Sequence, residues 1–225
     1  MKKVFLNAML VAFIGITSVS CKNEPKNETK ANDAEEALEA TDEAQTFMID
    51  TNNSKIEWNA SKPGKTHTGN IAVKDGKFST MGEELESGAI VIDMESITVT
   101  DLEGDDKASL ESHLKGTAEG KEDHFFNIKE HPVAKFEITN VMEKEGKTWL
   151  SGNLVMKGVS KNVDIPVTYS MENDGDKLML KSEPFTIDRT QWKVNYGSKS
   201  VFDDLKEKYI NDEIEIMFTV EAKKA

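Results

Sequence analysis

The stretch Glu213–Glu221 places Ile214, Ile216, Phe218 and Val220 on one side of an extended chain, and Glu213, Glu215, Met217, Thr219 and Glu221 on the other. A period of two with acids along one face specifies a strand with one dry and one wet side. Asn162–Met171 repeats the pattern, with Val163, Ile165, Val167, Tyr169 and Met171 opposed to Asp164, Pro166, Thr168 and Ser170. Pro166 has no N–H to give a ladder and therefore belongs at an edge or bulge. Similar runs predict strands over Lys55–Ala60, Gly69–Val73, Ala89–Met94, Ala134–Asn140, Thr148–Met156, Lys177–Lys181 and Phe185–Asp188. The tetrads Lys74-Asp75-Gly76-Lys77, Lys144-Glu145-Gly146-Lys147 and Asn173-Asp174-Gly175-Asp176 have the composition of hairpin turns. Many short strands with no crossover helices between them make an antiparallel sandwich or barrel.

One segment departs from this rhythm. Leu110, His113 and Leu114 fall at helical spacing behind Asp105 and Asp106, whose charges suit a helix N-terminus. A helix of two to three turns is predicted there, followed by a loop over Gly116–Gly120, with a second short helical turn near Asp203–Lys208. The outer faces of the strands carry full charges such as Lys135 and Glu137. A membrane-spanning barrel needs an apolar outside, so the dry faces must point inward.

Charge and cysteine count remove further classes. The 225 residues sum to a net charge of -13, which argues against sequence-independent nucleic-acid binding, since that requires a basic face. The single cysteine, Cys21, excludes an intrachain disulfide framework and a cysteine-rich metal site.

The start of the chain reads as a targeting segment. Met1-Lys2-Lys3 precedes an apolar run from Val4 to Ile16, then Thr17-Ser18-Val19-Ser20-Cys21. This is the cationic, apolar and small-residue order of a secretory signal, too short to span a bilayer. Small residues leading into a cysteine resemble a bacterial lipoprotein signal, which predicts a signal peptide over residues 1–20 and lipidation of Cys21. Several acyl chains anchor a protein stably to a membrane. Between Lys22 and Gln45 there is no glycine or aromatic residue, Leu38 is the one large aliphatic, and three lysines face eight acids. Such a stretch buries too little apolar surface to offset its chain entropy, so residues 21–45 are expected to form an acidic, disordered tether. The remaining domain, residues 46–225, carries a net charge of -10.

No catalytic constellation emerges. His67, His113, His124 and His131 show no close pair on one helical face, and there is no nucleophile elbow, phosphate loop or dinucleotide fingerprint. Alternation sends inward an uncharged set: Trp58, Ile90, Ile92, Met94, Phe136, Ile138, Leu154, Met156, Ile165, Val167, Phe185, Ile187 and Phe218. An eight-stranded barrel can fill itself with such side chains or leave room for one apolar ligand, and patterning leaves both open.

Five segments carry a resemblance. His131-Pro132-Val133-Ala134-Lys135-Phe136-Glu137-Ile138, the run Leu154–Val167 around Gly158, and Phe185-Thr186-Ile187-Asp188-Arg189-Thr190-Gln191-Trp192 follow one another in order. They are preceded by Ile49–Ile56 and by Asp93–Thr98 with Ser112-His113-Leu114 and Phe125-Phe126. Together, over residues 47–222, they resemble the YceI-like lipid/polyisoprenoid-binding family. The resemblance implies an all-β, lipocalin-like antiparallel barrel of eight strands with one or two short helices. It implies an apolar tunnel for an isoprenoid or fatty-acid-like lipid, no cofactor or metal, and no enzymatic activity. Arg189 matches the family's motif arginine and would either satisfy loop acceptors or receive a ligand head group. Two departures stand out: Leu110-Glu111-Ser112-His113-Leu114 lacks the family's Arg and Asp, and Lys115–His124 is extra sequence. The expected protein is a bacterial envelope lipoprotein, periplasmic or on the outer membrane, whose partners are a long-chain lipid and the membrane. The rival readings are a packed envelope-stress or structural barrel, or an enzyme acting on isoprenoid lipids.

Overall fold

The structure, a computed structural model, describes residues 27–144 and 146–225. The expected signal peptide and Cys21 lie outside the described residues. The elements are β1 (Asn32–Asp33), β2 (Gln45–Ile49), β3 (Lys55–Lys62), β4 (Lys65–Met81), β5 (Glu84–Val99), α1 (Gly104–Lys115), β6 (Val133–Lys144), β7 (Lys147–Met156), β8 (Val159–Glu172), β9 (Lys177–Ser182), β10 (Phe185–Asp188) and β11 (Glu213–Lys224).

Antiparallel pairing runs without interruption from β4 through β5, β6 and β7 to β8. β9 joins β8 to β11, and β11 returns to β4 through β2 and β3. β2 with β3, and β9 with β10, each share one position around the ring. The result is an eight-position closed antiparallel barrel, the architecture that leaves no long sheet edge exposed.

Of the three expected hairpin turns, Lys144–Lys147 and Asn173–Asp176 lie at chain reversals and Lys74–Lys77 does not. Asp75-Gly76 does not turn the chain but lies in a bulge within the 17-residue β4. Gly76 has φ +148°, and a Cβ there would sit 2.4 Å from the Ala89 carbonyl oxygen. The special backbone that glycine permits is therefore used to bend a strand against its neighbour. The reversal to β5 comes later, at Gly82 and Glu83. The Asn173–Asp176 turn is in place, and Pro166 lies where β8 ceases to pair with β9, so its missing N–H costs no ladder bond to that strand.

α1 begins at Gly104 as the spacing predicts, with Asp105 and Asp106 in its first turn. It stops at Gly116, whose left-handed φ of +72° lets its N–H reach back to the His113 and Ser112 carbonyls. The helical turn expected at Asp203–Lys208 is absent; the chain makes successive turns there, with Lys208 N–H donating to the Leu205 carbonyl.

The largest difference lies N-terminal to the barrel. Residues 27–44, expected to be part of a disordered spacer, are fastened to the barrel, first between β8 and β10 and then, from Glu35 on, along the outside of the wall. β1 pairs with β8, Thr29 N–H donates to the Thr186 carbonyl, and Leu38 N–H donates to the Ile138 carbonyl. The Asn153 amide mimics a backbone partner, accepting from Glu35 N–H and donating to the Glu35 carbonyl. This cover explains why outward-facing Thr139, Ser151, Asn153 and Asn162 are all buried. The segment lacks an apolar stripe because it is held by polar bonds instead.

Candidate ligand cavity

The turns after β4, β6 and β8 and the end of β11 lie at one end of the barrel, and that end is filled. Phe47, Phe78, Leu150, Leu178 and Leu180 are essentially inaccessible to solvent there. At the other end the walls stand apart around a cavity of about 140 Å³.

Eleven residues of the inward set border it: Trp58, Ile90, Ile92, Met94, Phe136, Leu154, Met156, Ile165, Phe185, Ile187 and Phe218. Ile138 and Val167 do not; they are buried in the packed portion of the core. The barrel is thus part solid core and part cavity. Cross-strand neighbours place the wall residues: Phe136 pairs with both Ile90 and Leu154, and Phe185 with Ile216, which in turn faces Trp58. Two aromatic rings lie over glycines on the adjoining strands. A Cβ at Gly69 would come within 2.4 Å of the Trp58 ring, and one at Gly152 within 2.2 Å of the Phe136 ring. A larger residue at either position would drive the ring into the cavity.

The end is capped by irregular chain, which alternation does not reveal. Leu114 at the close of α1, Phe125 and Phe126 after it, and Ile210 before β11 join the lining, and further strand residues such as Ile71, Ile97 and Ile214 extend the wall. The extra sequence after α1 supplies part of this cap. Lys157, in the β7–β8 turn, donates to the Asp123 carbonyl at 2.9 Å and pairs with its carboxylate at 2.9 Å. That ion pair holds the Asp123 carboxyl below its usual range, despite partial desolvation. Beside it, His113 Nε2 and His124 Nδ1 are hydrogen-bonded, and His124 stacks on Tyr196 with ring centres 4.2 Å apart. Phe125 meets His113 edge-on.

Among the described residues Arg189 is the one charged residue on the lining, and most of its donors are committed elsewhere. Nε donates to the Asn211 carbonyl at 3.0 Å and Nη2 to the Ile210 carbonyl at 3.1 Å. Nη1 donates to the Val194 carbonyl, and Asp212 lies 3.4 Å from Nη2. Burial pushes the guanidinium pKa down, while Asp212, Asp188 and Glu213 oppose the shift. Arg189 therefore ties the 193–212 loop to the barrel, the structural one of the two roles considered for it, with four of its five N–H groups engaged. The same turn is fixed by Asp188, which accepts from Thr190 N–H at 2.9 Å, and by Trp192, whose indole N–H donates to the Leu154 carbonyl at 2.8 Å. Among the described residues no group of three His, Cys, Asp or Glu is placed to hold a metal ion. No helix among them is long and apolar enough to cross a membrane, a statement that does not extend to strands.

Comparison with known proteins places this architecture. The crystal structure of Burkholderia cenocepacia BcnA superposes with a TM-score of 0.58 at 20% identity, covering 77% of this chain and 98% of that one. A polyisoprenoid binding domain from Saccharophagus degradans, implicated in plant cell wall breakdown, superposes with a TM-score of 0.60 at 16% identity, covering 80% and 99%. At these identities the likeness is one of fold. No curated protein matches the chain. The model of the YceI-like domain matches residues 47–222, the span from the second residue after the start of β2 to near the end of β11, and the chain belongs to that family.

Proposed function

We propose that the barrel binds the hydrocarbon part of a long-chain lipid, a polyisoprenoid or a similar amphiphile, and does so as a lipoprotein of a bacterial envelope held to the membrane through Cys21. The observation that carries the binding is the cavity: its wall is apolar except for Arg189, whose guanidinium is occupied by backbone carbonyls. Desolvating a hydrocarbon there gains about 25 cal/mol per Å², whereas a polar group would enter without a partner and lose its hydration. The family and the polyisoprenoid binding domain from Saccharophagus degradans support a ligand of this class.

The resting volume of about 140 Å³ matches a six- to eight-carbon fragment, since a cavity of about 150 Å³ holds a benzene ring. A longer tail requires side chains to move. Met94 and Met156 on the lining are suited to this, having unbranched and adaptable side chains. The wall offers no nucleophile and no acid–base pair, so the reading is of binding and not of catalysis. Native mass spectrometry of the purified chain, with solvent extraction of what remains bound, tests it. An adduct that extracts as an isoprenoid or acyl lipid is expected. A chain that carries none, and takes up none from lipid vesicles, overturns the proposal.

A further inference from the structure

The barrel wall contains a split. β9 pairs with β8 only over Val167–Glu172, and β10 pairs with β11 but not with β8. The first half of β8 and the whole of β10 therefore stand apart, and residues 27–33 fill the space between them. On the β10 side Thr29 N–H donates to the Thr186 carbonyl at 2.9 Å, and Thr186 N–H to the Asn27 carbonyl at 3.2 Å. On the β8 side Asn32 and Asp33 pair with Asn162 and Lys161, and Asp164 N–H donates to Thr29 Oγ1 at 2.9 Å. Ala31 packs against the core between them. Ile165 on β8 and Phe185 and Ile187 on β10, the strands that flank this segment, line the cavity.

The filling piece differs in kind from the strands it joins. It lies outside residues 47–222, the span matched by the family model. Over residues 27–38 only Ala31 and Ala37 among the apolar side chains are half-buried, and Leu38 is 40% exposed. One ion pair links it to the barrel among the described residues, Asp33 with Lys161 at 3.2 Å, and Asp33 is fully exposed. Such a segment is held by hydrogen bonds that water can replace at small net cost. It therefore belongs to the low end of local opening free energies, whereas the strands behind it carry the core. The capped end of the cavity is closed more firmly, by the buried Arg189 on three loop carbonyls and by the half-buried His113–His124 contact.

The geometry points to residues 27–33 as a removable stave of the barrel, lifting from between β8 and β10 so that the ligand passes sideways through the wall. This rests on the reading that the cavity takes a lipid. When the stave lifts, the freed backbone groups of Thr186 and Asp164 find water, and the apolar side chains of Ile165 and Ile187 become reachable from outside. When it returns, the ligand is enclosed.

The test locks the stave. In the full mature chain with Cys21→Ser, the substitutions Asp33→Cys and Lys161→Cys place two thiols on directly opposed residues of an antiparallel pair, a separation a disulfide can bridge. Uptake and release of the fluorescent fatty acid cis-parinaric acid are followed by stopped flow. The oxidised chain is expected to exchange the probe at least about tenfold more slowly than the same chain after reduction, with equal final occupancy. A second chain, Thr29→Val with Asp33→Ala, removes two attachments without touching the barrel and is expected to exchange several-fold faster than the parent. Uptake at the same rate in the oxidised, reduced and loosened chains overturns the stave while leaving the binding reading intact. Uptake by none of them overturns the binding reading and the stave with it.

Discussion

The Nε2 atom of His113 and the Nδ1 atom of His124 lie 2.8 Å apart, so the two rings share one N–H···N bond. Protonating both would set two N–H groups against each other with no acceptor between them. Burial lowers the His113 pKa, and Lys121 and His124 lower it further. A histidine whose pKa is depressed by folding takes up its proton more readily when unfolded. Its contribution to stability is thus complete above the unfolded value near 6.5 and is lost as the pH falls below it. The urea midpoint is expected to decline between pH 7.5 and 5.5, and His113→Gln to flatten that decline. Parallel declines in the two chains would assign the pH dependence to other groups.

The two parts of the barrel should respond oppositely to added volume. Leu150 is fully buried in the packed part, whereas Met156 borders the cavity. Leu150→Trp is expected to cost about 1 to 3 kcal/mol or more through forced repacking. Met156→Trp in the lipid-free chain is expected to cost less than about 1 kcal/mol, because the ring extends into open space, while bound lipid per mole of protein falls. Urea titration together with lipid extraction reads both. A large loss of stability in Met156→Trp with lipid content unchanged would show that the cavity does not hold the ligand at that position.

Arg189→Lys keeps the charge but has one donor group where the guanidinium has three. The carbonyls of Val194, Ile210 and Asn211 cannot all be satisfied by it. A loss of about 2 to 4 kcal/mol is expected from those unpaired acceptors, with lipid content per folded molecule unchanged. Loss of lipid at unaltered stability would return Arg189 to a role in head-group recognition.

Cys21→Ser tests the anchor. If acyl chains on Cys21 supply the attachment, the variant is expected in the soluble fraction of fractionated cells and the parent in the membrane fraction, with both resisting change in high salt. A variant that stays with the membranes after a salt wash would mean that something other than Cys21 holds it there.

Strands that bury one face announce themselves, and β10 and β11 were legible from Phe185–Asp188 and Glu213–Glu221 alone. So were eleven of the residues that border the cavity, because the same alternation that makes a strand decides which side chains point inward, although Ile71 and Ile97 on the lining were not among those expected. The cap was less visible. Leu114, Phe126 and Ile210 reach the cavity from a helix end and from irregular loops, where no period exists to mark a face. Asp75-Gly76 looked like a turn because a bulge and a turn ask the same conformational freedom of glycine; only the partner strand distinguishes them. The tether expected over residues 21–45 follows from a low content of large apolar residues, which normally means an absence of packing. Here the anchoring is through Asn153, Thr186 and Asp164 on the barrel, and a polar attachment leaves no mark in hydropathy.

The position of Asn27 against Pro184 and Thr186 sets a leash. If lipid is attached at Cys21, only six chain steps separate the anchor from the first residue fastened to the wall, a reach of about 20 Å at full extension. A free spacer as far as Gln45 would have allowed roughly four times that distance. The barrel would then graze the lipid surface with the β8–β10 side held nearest to it. A ligand could pass between bilayer and cavity by touch, without crossing open water, and lifting the stave would lengthen the leash at the same moment that it bares the wall.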